Sequence, residues 1–385
     1  MYALKLILRN ALRHKLRTAL TMLGIVIAVL AFGLLQTVVD AWYAGANAAS
    51  DKRLITRNAI SLVFPLPISY RDRLRQIDGI KSVSFANWFG GVYINERNFF
   101  PQFAVDPQTY FALYPEYKIA PEQLKAFLRD RRGCVVGRKL ANLYGWKLGD
   151  VIPLRGTIYT GNWEFVVRAI YDGRDTSTDT AIFFFQWDYL NEAINRMYPR
   201  RANSVGVFVL QIDEADRAAE IARKVDATFK NSLAETLTET EKAFQLGFVS
   251  MTEAIVLAIR IVSFLVIFII MAVMANTMAM STRERLSEYA TLKAIGFRPG
   301  FLLLLIFGES LIIALIAGTV GCLLTFPVAR TFVAHTGTLF HVFNVSSQTI
   351  LMQLGAAFVI GTVAAVVPSL RAARQGIAEG LRAIG

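Results

Sequence analysis

The sequence predicts an α-helical membrane protein with four transmembrane helices, arranged one plus three, and a large α+β extracytoplasmic domain of two subdomains inserted between the first and the second. Three observations carry this reading. Long uncharged runs fall at Thr18–Val39, Ile261–Thr282, Phe301–Val328 (interrupted only by Glu309) and Val342–Leu370, and a spanning helix needs roughly 20 apolar residues. The long stretch between the first run and the second has an ordinary mixed composition. The basic residues that are not balanced by acids gather in the short segments flanking the runs.

The elements follow in order. In residues 1–17, Leu4, Ile7, Leu8, Leu12 and Leu16 interleave with Lys5, Arg9, Arg13, Lys15 and Arg17. This suits a cytoplasmic amphipathic helix lying in the interface, and the same cations serve as a positive flank to the first span. Residues 18–40 form transmembrane helix 1. A basic start before an apolar run is also the pattern of a signal peptide. This run, however, exceeds the roughly 7–15-residue apolar core of such peptides and no A-x-A cleavage site follows, so an uncleaved span is expected. Residues 255–282, 301–328 and 348–369 form transmembrane helices 2 to 4, separated by a cytoplasmic segment 283–300 and an outer loop 329–347, with a cytoplasmic tail 370–385.

Residues 41–254 form the extracytoplasmic domain. Ala41–Ile55 continues the first span as helix, and Ile60–Phe64 is β-like before Pro65 and Pro67. Ile68–Ile77 looks helical, with Gly79 as its stop. Val83–Phe85, Gly91–Ile94 and Pro101–Val105 read as strands. Helices are expected at Pro121–Arg129, Arg138–Tyr144 and Trp187–Met197, and strands at Gly133–Val136, Asp150–Leu154, Trp163–Ile170 and Ala181–Phe185. Ser204–Ile212 reads as a strand and Ala215–Phe229 as an amphipathic helix, and Leu233–Ala254 is expected to run helically back to the membrane. The flanks, 58–106 with 202–230, would make a membrane-proximal subdomain, and 107–200 an inserted one.

The net charge is +12. Lys5, Arg9, Arg13, Lys15, Arg17, Arg283, Arg285, Lys293, Arg298, Arg371, Arg374 and Arg382 lie in the short segments, against Glu284, Glu288 and Glu379, while residues 40–253 are nearly balanced. Short basic loops stay in the cytoplasm, so both termini are expected inside and the large domain outside. Nucleic-acid binding is disfavoured, because the excess hugs the membrane ends and leaves no basic patch on the soluble domain. Cys134 and Cys322 give no disulfide framework and no C-x-x-C spacing, and His14, His335 and His341 make no histidine-rich metal site.

The segment 281–300 is the most specific. Tyr289, Leu292, Lys293 and Gly296 fall at helical spacing, with Gly296 and Pro299 as stops. A short amphipathic helix held between two spans suits a groove on a partner; spacing alone also allows an ordinary cytoplasmic loop. The string Glu288, Tyr289, Ala290, Thr291, Leu292, Lys293, Ala294, Ile295, Gly296, Phe297 resembles the coupling helix of the FtsX-like/MacB-like permeases of ABC transporters. Asn10–Ile25, Val135–Asp150 and Pro368–Arg382 are similar to three further stretches of that family, with Gly376 where the family usually has proline. Among subfamilies the string looks nearest the DevC-like exporter permeases.

The resemblance implies a dimer of permeases, each engaging a separate cytoplasmic ATPase that binds ATP and Mg, in a bacterial cytoplasmic (inner) membrane. It implies transport by mechanotransmission, with the Val29–Val39 half of the first span and the helix from Leu233 towards Ile270 acting as rods. A periplasmic adaptor protein and an outer-membrane channel are further expected partners. The chain itself holds no cofactor motif: Gly156 and Gly161 have phosphate-loop spacing but Asn162 follows, and no nucleophile elbow or Ser/His/Asp set stands out, so it is not expected to be an enzyme alone. Arg260 is expected to snorkel to the interface. Glu309, an acid inside a span, is expected to contact a neighbouring helix or the coupling helix. Gly318 and Gly321 would permit close helix packing, and Pro327 would kink or end the third span. The aromatic loop 329–347, with Phe332, Phe340 and Phe343, reads as interfacial. Other readings are a signal relay activating a cell-wall hydrolase, a lipoprotein-extracting permease, and a receptor without an ATPase.

Overall fold

The computed structural model describes residues 7, 9, 10, 13–336 and 342–374, so most of the expected N-terminal amphipathic helix, Phe340 of the outer loop and residues 375–385 of the tail lie outside the described residues. The chain forms two compact units, a helical one from residues 1–40, 253–335 and 343–385, and an inserted one from residues 41–252 with 336–342.

Among the described residues four helices are long and apolar enough to cross a membrane: Lys15–Ala48, Glu253–Glu284, Pro299–Thr336 and Ser347–Arg374. They pack through Ile25, Val29, Met274, Ile306, Ala314 and Ile360, all buried. Small residues let the third and fourth helices approach. A Cβ on Gly361 would lie 2.9 Å from Ala314 Cβ, and one on Gly321 would lie 2.8 Å from Val26 O of the first helix, so glycine is what permits these crossings. Buried hydrogen bonds cross the same contacts. Ser310 Oγ donates to Gly361 O (2.7 Å), and Gln353 Nε2 donates to Val29 O (2.9 Å) and Thr325 Oγ1 (2.8 Å).

Three expectations are corrected here. Pro327 does not end the third helix, which runs on to Thr336, so the loop expected from residue 329 starts later. A proline removes one ladder bond, which the flanking turns tolerate within a packed bundle. The fourth helix likewise extends past 369 to Arg374 with Pro368 inside it. The helix expected over Leu233–Ala254 is instead a strand, Thr236–Thr240, and a helix, Glu241–Ser250, capped by Thr240 Oγ1 accepting from Ala243 N. The connection to the second span is therefore not one continuous rod.

The inserted unit contains β1 (Arg53–Asn58), β2 (Leu66–Pro67), β3 (Ile80–Trp88), β4 (Gly91–Val92), β5 (Gln102–Val105), β6 (Tyr117–Lys118), β7 (Gly133–Gly137), β8 (Val151–Gly156), β9 (Gly161–Gly173), β10 (Phe183–Gln186), β11 (Ser204–Val205), β12 (Val207–Ile212) and β13 (Thr236–Thr240). One sheet runs in the order β13-β1-β12-β3-β5-β10-β7-β9-β8-β4, with β6 on β9; β11 and β2 pair separately. The strands of both flanks and of the insert are thus joined through the parallel β5–β10 pair. Helices Pro121–Arg129, Arg138–Tyr144 and Trp187–Met197 stand as the sequence reads. Arg138–Tyr144 is closed by left-handed Gly145 (φ 70°), where a side chain would be strained.

Side chains alternate across a strand, and this sheet buries both faces. Phe183 and Phe185 join one apolar cluster with Leu54, Phe85, Phe165 and Phe208. Phe184, between them, joins another with Ile55, Val105, Val135 and Val209. That explains a continuous Phe-Phe-Phe run where a half-exposed strand would alternate. The Ile60–Phe64 run is the exception. The strand lies one step earlier, at Arg53–Asn58, and Ile60 (82% exposed), Val63 and Phe64 stand in solvent.

One buried charge cluster ties this unit together. Arg53 Nε donates to Glu241 Oε2 (2.8 Å), Nη2 to Glu116 Oε1 (2.5 Å) and Nη1 to Leu113 O (2.9 Å), and the guanidinium lies 4.2 Å from the Tyr114 ring centroid. Every nitrogen of the fork donates to an acceptor, which is the condition for burying a charge without large loss. The electron-rich partners outweigh the burial and hold the Arg53 pKa above its ordinary value.

Candidate functional site: the junction between the second and third long helices

The second long helix ends at Glu284, and after Arg285 the chain forms a short junction helix, Leu286–Ala294. Its end follows from the local sequence. Gly296 is left-handed (φ 101°), Gly296 N donates to Lys293 O (3.0 Å) and Phe297 N to Leu292 O (3.0 Å). These are the two bonds of a Schellman stop, with Phe297 and Leu292 at the positions of its usual apolar contact.

The ten residues of the coupling-helix string separate into two sets. Tyr289 and Ala290 are buried, and Tyr289 and Leu292 pack in the same apolar cluster as Met274, Met278, Leu302 and Ile306. Burial raises the Tyr289 pKa to about 12. Lys293 also turns inward, its Nζ donating to Ala372 O (2.9 Å) and Ala373 O (3.0 Å) at the last turn of the fourth helix. The cation thereby bonds two backbone carbonyls of the last described turn of that helix. Glu288, Thr291, Ala294, Ile295, Gly296 and Phe297 face solvent; Ile295 is 71% exposed, and Phe297 is stacked on Phe301 with centroids 5.0 Å apart. The part of the string free to meet a partner is its C-terminal end, not Leu292 or Lys293.

Glu309 is buried against Arg285, whose Nη1 lies 2.8 Å from Glu309 Oε2 and whose Nη2 donates to Asn10 O (2.7 Å). An acid placed in an apolar span requires such a partner. Among the described residues Arg285 Nε has no hydrogen-bond partner. Arg285 and Glu309 also line a cavity of about 20 Å³ with His14, Arg17 and Ser281 on its polar side and Met274, Met278 and Ile313 on its apolar side, a space of about one water molecule. Two further acids of the junction pair with the N-terminal segment: Arg17 Nη2 lies 2.8 Å from Glu284 Oε2, and Arg13 binds Glu288. These exposed pairs are screened and contribute little to stability, but they fix which elements meet. The junction is thereby tied to the N-terminal segment, the third helix and the fourth helix at once.

Arg285, Arg13 and Arg17 were not distinguished from other basic residues by sequence pattern. The signal that could have found Arg285 is the solitary Glu309, which demands a cation, and Arg285 lies just beyond the end of the second long helix.

Four long apolar helices with a braced junction helix, and an α+β domain inserted after the first, are the build of a multi-pass transporter permease. A sequence model described as MacB-like periplasmic core domain matches residues 18–228, and one described as FtsX-like permease C-terminal matches residues 260–377. The chain belongs to the FtsX-like/MacB-like family of ABC transporter permeases. An uncharacterized ABC transporter permease of Methanocaldococcus jannaschii, MJ1507, is 23% identical over 396 residues, covering 97% of this chain and 96% of that one. Among solved structures, the extracellular domain of the transporter YknZ from Gram-positive bacteria aligns at TM-score 0.34 and 12% identity, over 49% of this chain and 100% of that domain. The periplasmic region of MacB from Actinobacillus actinomycetemcomitans aligns at TM-score 0.37 and 8% identity, over 52% and 94% respectively.

Proposed function

We propose that this ABC transporter permease is the membrane subunit of an exporter working by mechanotransmission. A separate cytoplasmic ATPase binds ATP and Mg, its closure moves the junction helix, and the long helices pass that motion to the inserted domain, which handles an amphiphilic substrate outside the cytoplasm. Two copies of the chain form the permease dimer with both termini in the cytoplasm, and an adaptor protein and outer-membrane channel complete the path. The observation that carries this reading is the division of the junction helix. One side is locked to three other elements through Arg285, Tyr289 and Lys293, while Ile295 and Phe297 project. A rigidly held element with an apolar free end suits a groove on a moving partner.

The test is co-expression with the candidate ATPase in lipid nanodiscs. Ile295→Asp is expected to lower permease-dependent hydrolysis about tenfold by placing a charge in the apolar contact, while the permease itself stays folded. Leu292→Asp is expected to damage the permease first, since that side chain packs inward. Unchanged hydrolysis in Ile295→Asp and Phe297→Asp would sink the proposal.

A further inference from the structure

One amide joins three of the four long apolar helices. Gln353, on the fourth, is fully buried. Its Nε2 donates to Val29 O of the first (2.9 Å) and to Thr325 Oγ1 of the third (2.8 Å). Only a donor fits there. Val29 O can only accept, and Thr325 Oγ1 has committed its single hydrogen to Gly321 O (2.9 Å), so it too must accept. Turning the amide over would set Oε1 against two acceptors. The side chain therefore has one orientation, and Oε1 is left without a hydrogen-bond partner among the described residues.

The first helix is cut away to receive this amide. A Cβ built on Gly33 would lie 2.0 Å from Gln353 Nε2 and 2.5 Å from its Cδ, so the amide fills the place that a side chain at residue 33 would need. A second tie lies one turn earlier on the fourth helix. There Asp40 Oδ2 accepts from Ser346 Oγ (2.7 Å) and Thr349 Oγ1 (2.9 Å). One tie lets a helix swing about it, whereas two at different levels fix its register. Among the described residues the second long helix adds no bond to this set. Its Ser263 and Thr277 hydroxyls bond its own backbone, at Ile259 O and Val273 O. It meets the first helix through apolar contacts such as Phe264 on Phe32, with centroids 5.7 Å apart.

Stability does not explain the amide. A buried acceptor without a partner is destabilising, and an apolar side chain of similar shape avoids that cost. Methionine at position 353 would leave neither partner stranded, since Val29 lies inside the first helix and Thr325 Oγ1 keeps Gly321 O. What the amide adds is direction: a buried polar contact between helices specifies one register where apolar surfaces accept several.

We infer that Gln353, seated in the notch at Gly33, is a positioning residue that fixes the register of the first long helix against the third and fourth. Its bearing on transport rests on the proposed function, under which the three helices move as one body when the junction helix is driven.

The test places nitroxide labels on Ile27 of the first helix and Leu351 of the fourth, both exposed, in the full chain in nanodiscs diluted with unlabelled chain. The native Cys134 and Cys322 are buried. Double electron–electron resonance reads the distance distribution, and one narrow distance is expected in the wild type. Gln353→Met is expected to widen the distribution about twofold while the thermal midpoint stays the same or rises. Gly33→Ala, whose methyl group displaces the amide, is expected to widen it as much. In a Gln353→Ala background, where the notch is empty, Gly33→Ala is expected to add nothing further. A distribution unchanged in Gln353→Met would overturn the inference. So would a lower midpoint in that variant, which would assign the amide to ordinary stabilisation, or an effect of Gly33→Ala that persists undiminished in the Gln353→Ala background. Adding the candidate ATPase with ATP separates the two proposals. If neither hydrolysis nor the wild-type distance responds, the ATP-driven reading falls and the nucleotide-free widths still decide the role of Gln353. If hydrolysis depends on the permease but the widths do not depend on Gln353, only the positioning role falls.

Discussion

Each unit of this protein buries an arginine against glutamate, and the two sites are built differently. In the inserted domain Arg53 is saturated: two carboxylates, a backbone carbonyl and an aromatic face surround it. In the helical unit Arg285 holds one carboxylate and one carbonyl, and its Nε has no hydrogen-bond partner among the described residues. A fully satisfied cluster has one good arrangement and fixes its surroundings. A partly satisfied one fixes its surroundings less completely, which suits the joint that the proposed mechanism requires between the junction helix and the third helix. The contrast separates a keystone from a hinge by hydrogen-bond count, with the same pair of residue types in both.

The largest effect that could break this comparison is at Arg53. Arg53→Met leaves Glu116 and Glu241 facing each other without their cation and is expected to cost about 3–5 kcal/mol, read as loss of the cooperative unfolding transition of the inserted domain. A cost below about 1 kcal/mol would deny the keystone role. Arg285→Met is expected to cost less, about 1–3 kcal/mol, because it breaks fewer hydrogen bonds than Arg53→Met. A double-mutant cycle with Glu309→Gln should return a coupling energy of about 1 kcal/mol or more, with ATPase stimulation lost in the single Arg285 variant before stability is. Lys293→Met removes two hydrogen bonds at the C-terminal turn of the fourth helix and should cost about 1 kcal/mol, visible as faster amide exchange around residues 370–374.

The smallest expected effect is a pH dependence. Tyr289 titrates near 12 when folded because it is buried, against about 10 when unfolded. Its neutral form is the one the fold accepts, so the contribution is complete below about pH 10 and is lost as pH rises towards 12, at about 1.4 kcal/mol per pH unit at most. Tyr289→Phe should flatten that slope in alkaline unfolding curves. A slope unchanged by the substitution would place the sensitivity elsewhere.

Much of the fold was legible because its signals are local. The helices Pro121–Arg129, Arg138–Tyr144 and Trp187–Met197 are bounded by proline, glycine and polar positions that act within a turn or two. The Schellman stop at Gly296 is written in the six residues Leu292–Phe297. Leu233–Ala254 was misread for the opposite reason: its composition permits helix, but Leu54–Asn58 of β1 offers Thr236–Thr240 a full antiparallel ladder, and a tertiary pairing outweighs weak local propensity. At the junction, the coupling-helix string held Leu292 and Ile295 together without separating them. Only the packed helices show that the first is covered and the second is not.

By itself the sequence determined the four spans, the insertion after the first, the short helix between the second and third, and the family, since hydropathy, turn residues and a contiguous string are properties of neighbours in the chain. Only the tertiary structure decided that Arg285 meets Glu309, that Lys293 meets the fourth helix, that strands of both flanks and of the insert share one sheet, and that Ile60–Phe64 is left in solvent. Each of these depends on which distant segments come within hydrogen-bonding reach. That is settled by the packing of whole helices and sheets, and it leaves no trace in residue spacing.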